Sequence, residues 1–314
     1  MRSPLLTPIA TLSAATLLLT HGCAAGGVAA DPSAPALPLA RDAAIDGTLF
    51  VSDFYSADVL LYREQLQNPA PFGKISEGLS NSYNLFVDQR GTLYVQGNNN
   101  TITEFPKGRK KPHKVLNEPP AGPGGYGTGV SLAVGSDGTV YAVDPYGSQL
   151  YEFANGSTSP TTTIGISHPY GLALDSKNDL YVGYTYSSSG FNARVMEYAP
   201  GQTTGKDLGI EVKLGGGLNV DVHDNLLVGD QGTQLIDVFR PGSKRPFRQI
   251  DTAPNYPYQF AFSRSEHRLY LVSGTPAAVY VYDYKTGKLL RSDTQGLSPS
   301  GYALGVAVEP AAPW

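Results

Sequence analysis

Few side chains in this sequence are placed to do chemistry. Five histidines are spread over 314 residues, and the single cysteine, Cys23, stands near the start. One cysteine closes no intramolecular disulfide and supplies no multi-thiolate zinc site. No GxSxG, HExxH or paired-cysteine pattern occurs. What recurs at matched positions is a set of acids and tyrosines. Asp53, Asp144 and Asp230 each end a short apolar run, and Tyr184 ends another; Tyr83, Tyr170 and Tyr258 each lead into one. Tyr55 and Tyr146 follow two of the acids by two residues. A carboxylate can bind a ligand hydroxyl, move a proton or hold a divalent cation, and a phenol ring can stack on a ligand while its hydroxyl bonds. His168 adds an imidazole able to take a proton or ligate metal. Each also has an architectural alternative. An aspartate at a strand end caps the next turn, a tyrosine fills an interface, and a lone loop histidine satisfies a hydrogen bond.

The elements that would position these groups recur with a long period. Short apolar cores appear at Leu49-Phe50-Val51, Leu93-Tyr94-Val95, Val140-Tyr141-Ala142, Leu180-Tyr181-Val182, Leu226-Leu227-Val228 and Leu269-Tyr270-Leu271. Their spacing, roughly 40–47 residues, is that of four-stranded propeller blades. Every core but the first has an upstream apolar partner, such as Asn84-Leu85-Phe86-Val87 or Gly171-Leu172-Ala173-Leu174, joined to it by turn formers such as Asp88-Gln89-Arg90-Gly91. That pattern predicts a hairpin. A third strand follows each core with an aromatic at a matching place: Tyr62, Phe105, Phe153, Tyr198, Phe239 and Tyr284. Glycine stands three residues after the last five, as Gly108, Gly156, Gly201, Gly242 and Gly287, where a turn needs its freedom. The partner missing from the first core appears at the far end of the chain, as Gly305-Val306-Ala307-Val308. The expectation is an all-β, six-bladed β-propeller over residues 46–314, closed by a C-terminal strand completing the first blade. Closure removes the open edges that invite aggregation.

Segments such as His168-Pro169-Tyr170-Gly171-Leu172-Ala173-Leu174-Asp175, followed by Asp179-Leu180-Tyr181-Val182, resemble NHL-type repeats and the related gluconolactonase-like propellers. The resemblance implies the fold. It leaves activity open, because such propellers host enzymes, binding modules and scaffolds. Gluconolactonase-like enzymes use a metal site of carboxylates and amides deep in the channel. The innermost strands here offer mainly Leu, Phe, Val and Ala, with Asn219 as the polar exception.

The first 22 residues read as a signal peptide. Arg2 is the positive n-region, and Leu5–Leu19 is apolar but short for a membrane span. Leu19-Thr20-His21-Gly22-Cys23 resembles a bacterial lipobox, with Thr20 where Leu is usual. That resemblance implies lipidation of Cys23 and anchorage at the cell envelope; ordinary secretion is the alternative. Residues 23–45, rich in Ala, Pro and Gly, read as a tether.

Composition narrows the partners. A formal charge of −4 lacks the basic footprint of a nucleic-acid binder. The string Gly122-Pro123-Gly124-Gly125-Tyr126-Gly127 matches GxGxxG but leads into a strand, where a dinucleotide site needs a helix. The basic run from Lys107 to Lys114 reads as a solvated hairpin turn. Two functions follow. One is a monomeric, envelope-anchored, non-catalytic propeller presenting Tyr55, Tyr83, Tyr146, Tyr170, Tyr184 and Tyr258 to a small polar ligand, a glycan or an envelope protein. The other is a gluconolactonase-like hydrolase or lyase acting on a small polar or sugar-derived substrate through Asp144, Asp230 and His168, with or without a divalent cation.

Overall fold

The computed structural model describes residues 47–120, 131–274, 276–298 and 302–313. The signal segment, Cys23, the tether and the Gly122–Gly127 string lie outside them. Every regular element among the described residues is a strand. The chain runs through β1 (Thr48–Asp53), β2 (Asp58–Arg63) and β3 (Gly73–Ile75), then β4 (Ser82–Val87), β5 (Leu93–Gly97), β6 (Thr101–Phe105) and β7 (Lys114–Asn117). Next come β8 (Leu132–Val134), β9 (Val140–Asp144), β10 (Gln149–Phe153) and β11 (Thr162–Gly165), followed by β12 (Pro169–Leu174), β13 (Leu180–Tyr184), β14 (Phe191–Tyr198) and β15 (Lys206–Val220). The last are β16 (Leu226–Asp230), β17 (Leu235–Phe239), β18 (Arg248–Asp251), β19 (Gln259–Phe262), β20 (Arg268–Ser273), β21 (Ala278–Asp283), β22 (Leu289–Asp293) and β23 (Ala303–Glu309).

These strands form five antiparallel sheets, four of four strands and one of seven. The seven-stranded sheet exists because β15 serves two neighbours. Its first part pairs β14 (Val212 opposite Ala193) and its last part pairs β16 (Leu218 opposite Val228). The join is the run Gly215-Gly216-Gly217, whose glycines weaken a strand. The backbone stays extended through the glycines because another segment crosses them closely. A Cβ on Gly216 would sit 2.4 Å from the Pro257 carbonyl oxygen, and the Gly217 amide donates to that oxygen at 3.0 Å. The remaining sheet of note pairs the ends of the described chain: β23 lies antiparallel to β1, with Leu49 opposite Val308 and Val51 opposite Val306.

The core lies between sheets. All six matched aromatics are buried, and each sits in a cluster with residues of a neighbouring repeat. Phe153 packs with Ile102 and Leu116, Phe239 with Tyr181 and Val195, and Tyr62 with Tyr270 and Val281. Burying an aromatic at each junction stabilises by about 2–3 kcal/mol. The five glycines after the third strands all have positive φ, from 70° to 89°, which a side chain resists.

Polar clasps join successive hairpin turns. The Ser136 amide donates to Asn178 Oδ1 at 2.9 Å, the Ser176 amide to Asp224 Oδ1 at 3.0 Å, and the Val222 amide to Glu266 Oε1 at 2.9 Å. All three acceptor residues have positive φ, which turns their side chains toward the preceding unit. Below the last strand, Lys107 pairs with Glu309 and Gln89 Nε2 donates to the Ala312 carbonyl at 2.6 Å.

Glu266 gives one clasp a pH dependence. Burial raises its carboxyl from 4.5 to about 7, partly offset by the Val222 amide and reinforced by the Asp221 charge. The folded state therefore holds this proton more tightly than the unfolded chain. The associated stability is present below about pH 4.5 and is lost as pH rises through about 7. Glu266→Gln keeps an acceptor for the Val222 amide and removes the titration. Thermal melts should show a shallower stability decline between pH 5 and 8 than wild type, and a higher midpoint at pH 8. An unchanged slope would assign the pH dependence elsewhere.

Candidate functional site

The loops that leave β1, β16 and β20 and those that enter β4, β19 and β23 come together on one face. They enclose an open cavity of about 450 Å³. Phe54 and Tyr55 come from the turn after β1, Tyr83 from β4, Tyr256 and Tyr258 from the approach to β19, and Tyr302 from the approach to β23. Gln231 and Ser273 add polar groups. The rings form a connected series: Phe54 lies 4.8 Å from Tyr83 and 5.2 Å from Tyr55, and Tyr55 lies 5.4 Å from Tyr302. They also reach solvent, with Tyr55 62%, Tyr256 55% and Tyr258 48% exposed. Burial raises the pKa of Tyr83, and the nearby phenols of Tyr146, Tyr258 and Tyr55 raise it further. Burial likewise raises that of Tyr258, with Tyr146 adding to it.

The structure thus brings together Tyr55, Tyr83 and Tyr258, with Tyr146 beside them. It places Tyr170 and Tyr184 elsewhere. The Tyr170 ring fills the space over Gly183 and Gly215, where an added Cβ would come within 2.5 Å of it, and its hydroxyl donates to the Arg194 carbonyl at 3.4 Å. Tyr184 is buried and donates to Asp207 Oδ2 at 2.9 Å. Phe54, Tyr256 and Tyr302 were not singled out from the sequence. The Tyr256-Pro257-Tyr258 alternation was the available signal for one of them, since two residues of extended chain return a side chain to the same face.

Two of the three acids, Asp144 and Asp230, are engaged by backbone amides. Asp144 Oδ1 accepts from the amides of Tyr146 and Gly147, both at 2.9 Å. Asp230 accepts from the amides of Lys213 at 2.9 Å, Leu214 at 3.0 Å and Gly232 at 2.8 Å. Asp53 is buried at the corresponding place in β1, and its Oδ1 has no hydrogen-bond partner among the described residues. His168 sits at positive φ with Nδ1 3.1 Å from Ser167 Oγ, and it does not line the cavity. Among the described residues, no three His, Cys, Asp or Glu side chains are grouped as metal ligands would be.

Beneath the mouth lies a second space of about 120 Å³, lined by the innermost strands and by Ala311–Pro313. Amide side chains staple the innermost strands here. Gln259 Nε2 donates to Asn84 Oδ1 at 2.7 Å and to the Leu85 carbonyl at 2.9 Å, while its Oε1 accepts the Val306 amide at 2.8 Å. Asn219 Nδ2 donates to the Phe260 carbonyl at 3.0 Å. The polar exception noted in the sequence is therefore a strand-to-strand tie.

No family model matches the chain, and no curated protein matches it. Solved structures do. A chain of a nidogen/laminin complex superposes with a TM-score of 0.64 at 16% identity, covering 83% of this chain and 98% of that one. A protein of unknown function from Bacteroides caccae superposes with a TM-score of 0.59 at 13% identity, covering 84% of this chain and 98% of that one. The fold is a β-propeller. Identities this low carry the fold alone, so the propeller's chemistry has to be argued from its own mouth.

The capping geometry of Asp230 is testable. Asp230→Ala leaves three amides without their acceptor and should cost about 2–4 kcal/mol, seen as a lower urea midpoint. Stability equal to wild type would show that the carboxylate is not needed for the turn.

Proposed function

We propose that this protein is a six-bladed, envelope-anchored, non-catalytic binding propeller whose aromatic mouth receives a small polar ligand, a glycan or an envelope protein. The observation that carries this is the contrast at the mouth. The exposed aromatic rings face an open cavity, while the carboxylates Asp144 and Asp230 are occupied by backbone amides. Pockets of this kind bind through apolar contact and a few placed polar groups.

The six-blade count is supported by assigning β15 twice, as the outermost strand of one blade and the innermost of the next. The first blade is then β23-β1-β2-β3, and the pairing of β23 with β1 supports closure of the ring. The cluster holding Tyr62, Tyr270 and Val306 supports the same closure. Anchorage through lipidated Cys23 is supported by the lipobox-like Leu19-Thr20-His21-Gly22-Cys23 that follows the apolar Leu5–Leu19 stretch.

The alternative hydrolase or lyase would draw on Asp144, Asp230 and His168. Asp144 and Asp230 are engaged in turn capping, and His168 lies apart from the cavity, so the binding function is preferred.

Two measurements test the proposal. Cys23→Ser should move the protein from the membrane to the soluble fraction; continued membrane association would refute the anchor. Tyr83→Ala with Tyr258→Ala should abolish binding to whichever ligands a combined glycan and peptide array detects for wild type. Array binding that survives the double change would remove the mouth as the binding face.

A further inference from the structure

We infer that the mouth selects an uncharged oligosaccharide. The inference rests on the mouth being the binding face and names the ligand class that its chemistry fits.

Charge is the first constraint. Among the described residues, the cavity lining contains no Lys, Arg, His, Asp or Glu side chain. A carboxylated, sulfated or phosphorylated ligand would lose hydration there and find no counter-charge, which is costly. Of the nearby acids, Asp230 points its oxygens at the Lys213, Leu214 and Gly232 amides, and Asp53 is buried and does not line the cavity.

The second constraint is the mixture of ring faces and hydroxyls. Five of the lining residues are tyrosines, so every aromatic ring but that of Phe54 ends in a phenol. A purely apolar ligand would cover the hydroxyls of Tyr55, Tyr256, Tyr258 and Tyr302 without offering them a hydrogen bond. A sugar ring offers both surfaces, C–H groups on its faces and hydroxyls on its rim. Ser273 and Gln231, whose Nε2 already donates to the Gly215 carbonyl, add polar groups at the same wall. The rings are not used up against one another: the Tyr55–Phe54 and Tyr55–Tyr302 contacts are edge-on at 73° and 74°, and Phe54–Tyr83 is tilted at 54°. Size is the third constraint. A cavity of about 450 Å³, open to solvent, lies in the range that holds small ligands and lets a longer chain run out over the exposed Tyr55 and Tyr256.

The test uses the whole purified protein. It is screened on an array of neutral glycans, and hits are titrated by calorimetry beside tetragalacturonate and a proline-rich peptide. Tyr55→Ala and Tyr258→Ala are the variants, because Tyr55 is largely and Tyr258 about half exposed and their loss should spare the fold, checked by circular dichroism. The expected result is a neutral oligosaccharide that binds wild type, binds each variant at least tenfold more weakly, and is not replaced by tetragalacturonate. Tetragalacturonate binding as tightly as the neutral chain overturns the inference. So does an array without a neutral hit. If the peptide or the uronate then binds in a tyrosine-dependent way, the ligand class is wrong and the mouth stands as the binding face. If no probe shows tyrosine dependence, both fall.

Discussion

The mouth depends on one pairing, that of β23 with β1. These strands are separated by about 250 residues, yet Thr48 faces Glu309 and Phe50 faces Ala307. Bringing together segments so distant costs closure entropy, which grows only slowly with loop length. Burial repays it. Leu49, Val51, Val306 and Val308 join Tyr62 and Tyr270 in one apolar cluster. The register shifts between Val51 and Asp53, where the strands reach the mouth. There the Phe54 amide donates to the Tyr302 carbonyl at 3.0 Å, and the Tyr55 ring meets that of Tyr302. Part of the cavity wall is thus contributed from each end of the described chain.

A second constraint sorts polar residues from aromatic ones. Turns and innermost strands leave backbone groups that need partners once buried. Asp144 and Asp230 serve the turns, Asn178, Asp224 and Glu266 clasp neighbouring hairpins, and Asn84, Asn219 and Gln259 tie the innermost strands. With these side chains committed to architecture, the tyrosines are what the mouth has left for recognition. This division explains why the rim looks acidic in sequence and aromatic in structure.

Much of the fold could be read beforehand because its signals are local and periodic. The six cores, the buried aromatics and the glycines at positive φ each need only a few adjacent residues to be recognised. What was missed depends on distant neighbours. The continuity of β15 through Gly215-Gly216-Gly217 depends on the Pro257 carbonyl, which accepts the Gly217 amide. Tyr170 occupies the same repeat position as Tyr83 and Tyr258, but Gly183 and Gly215 leave room for its ring to pack away from the cavity. Tyr302 stands just before β23 and reaches the mouth where the β1–β23 register shifts.

Amide hydrogen exchange across β1 and β23 tests this account most directly. If the seam holds the mouth together, the β23 amides from Gly305 to Val308 should be as protected as those joining β1 to β2, and both sets should open in one cooperative event. Rapid exchange in β23 while β1 stays protected would contradict it, because the mouth would then have no fixed wall on that side.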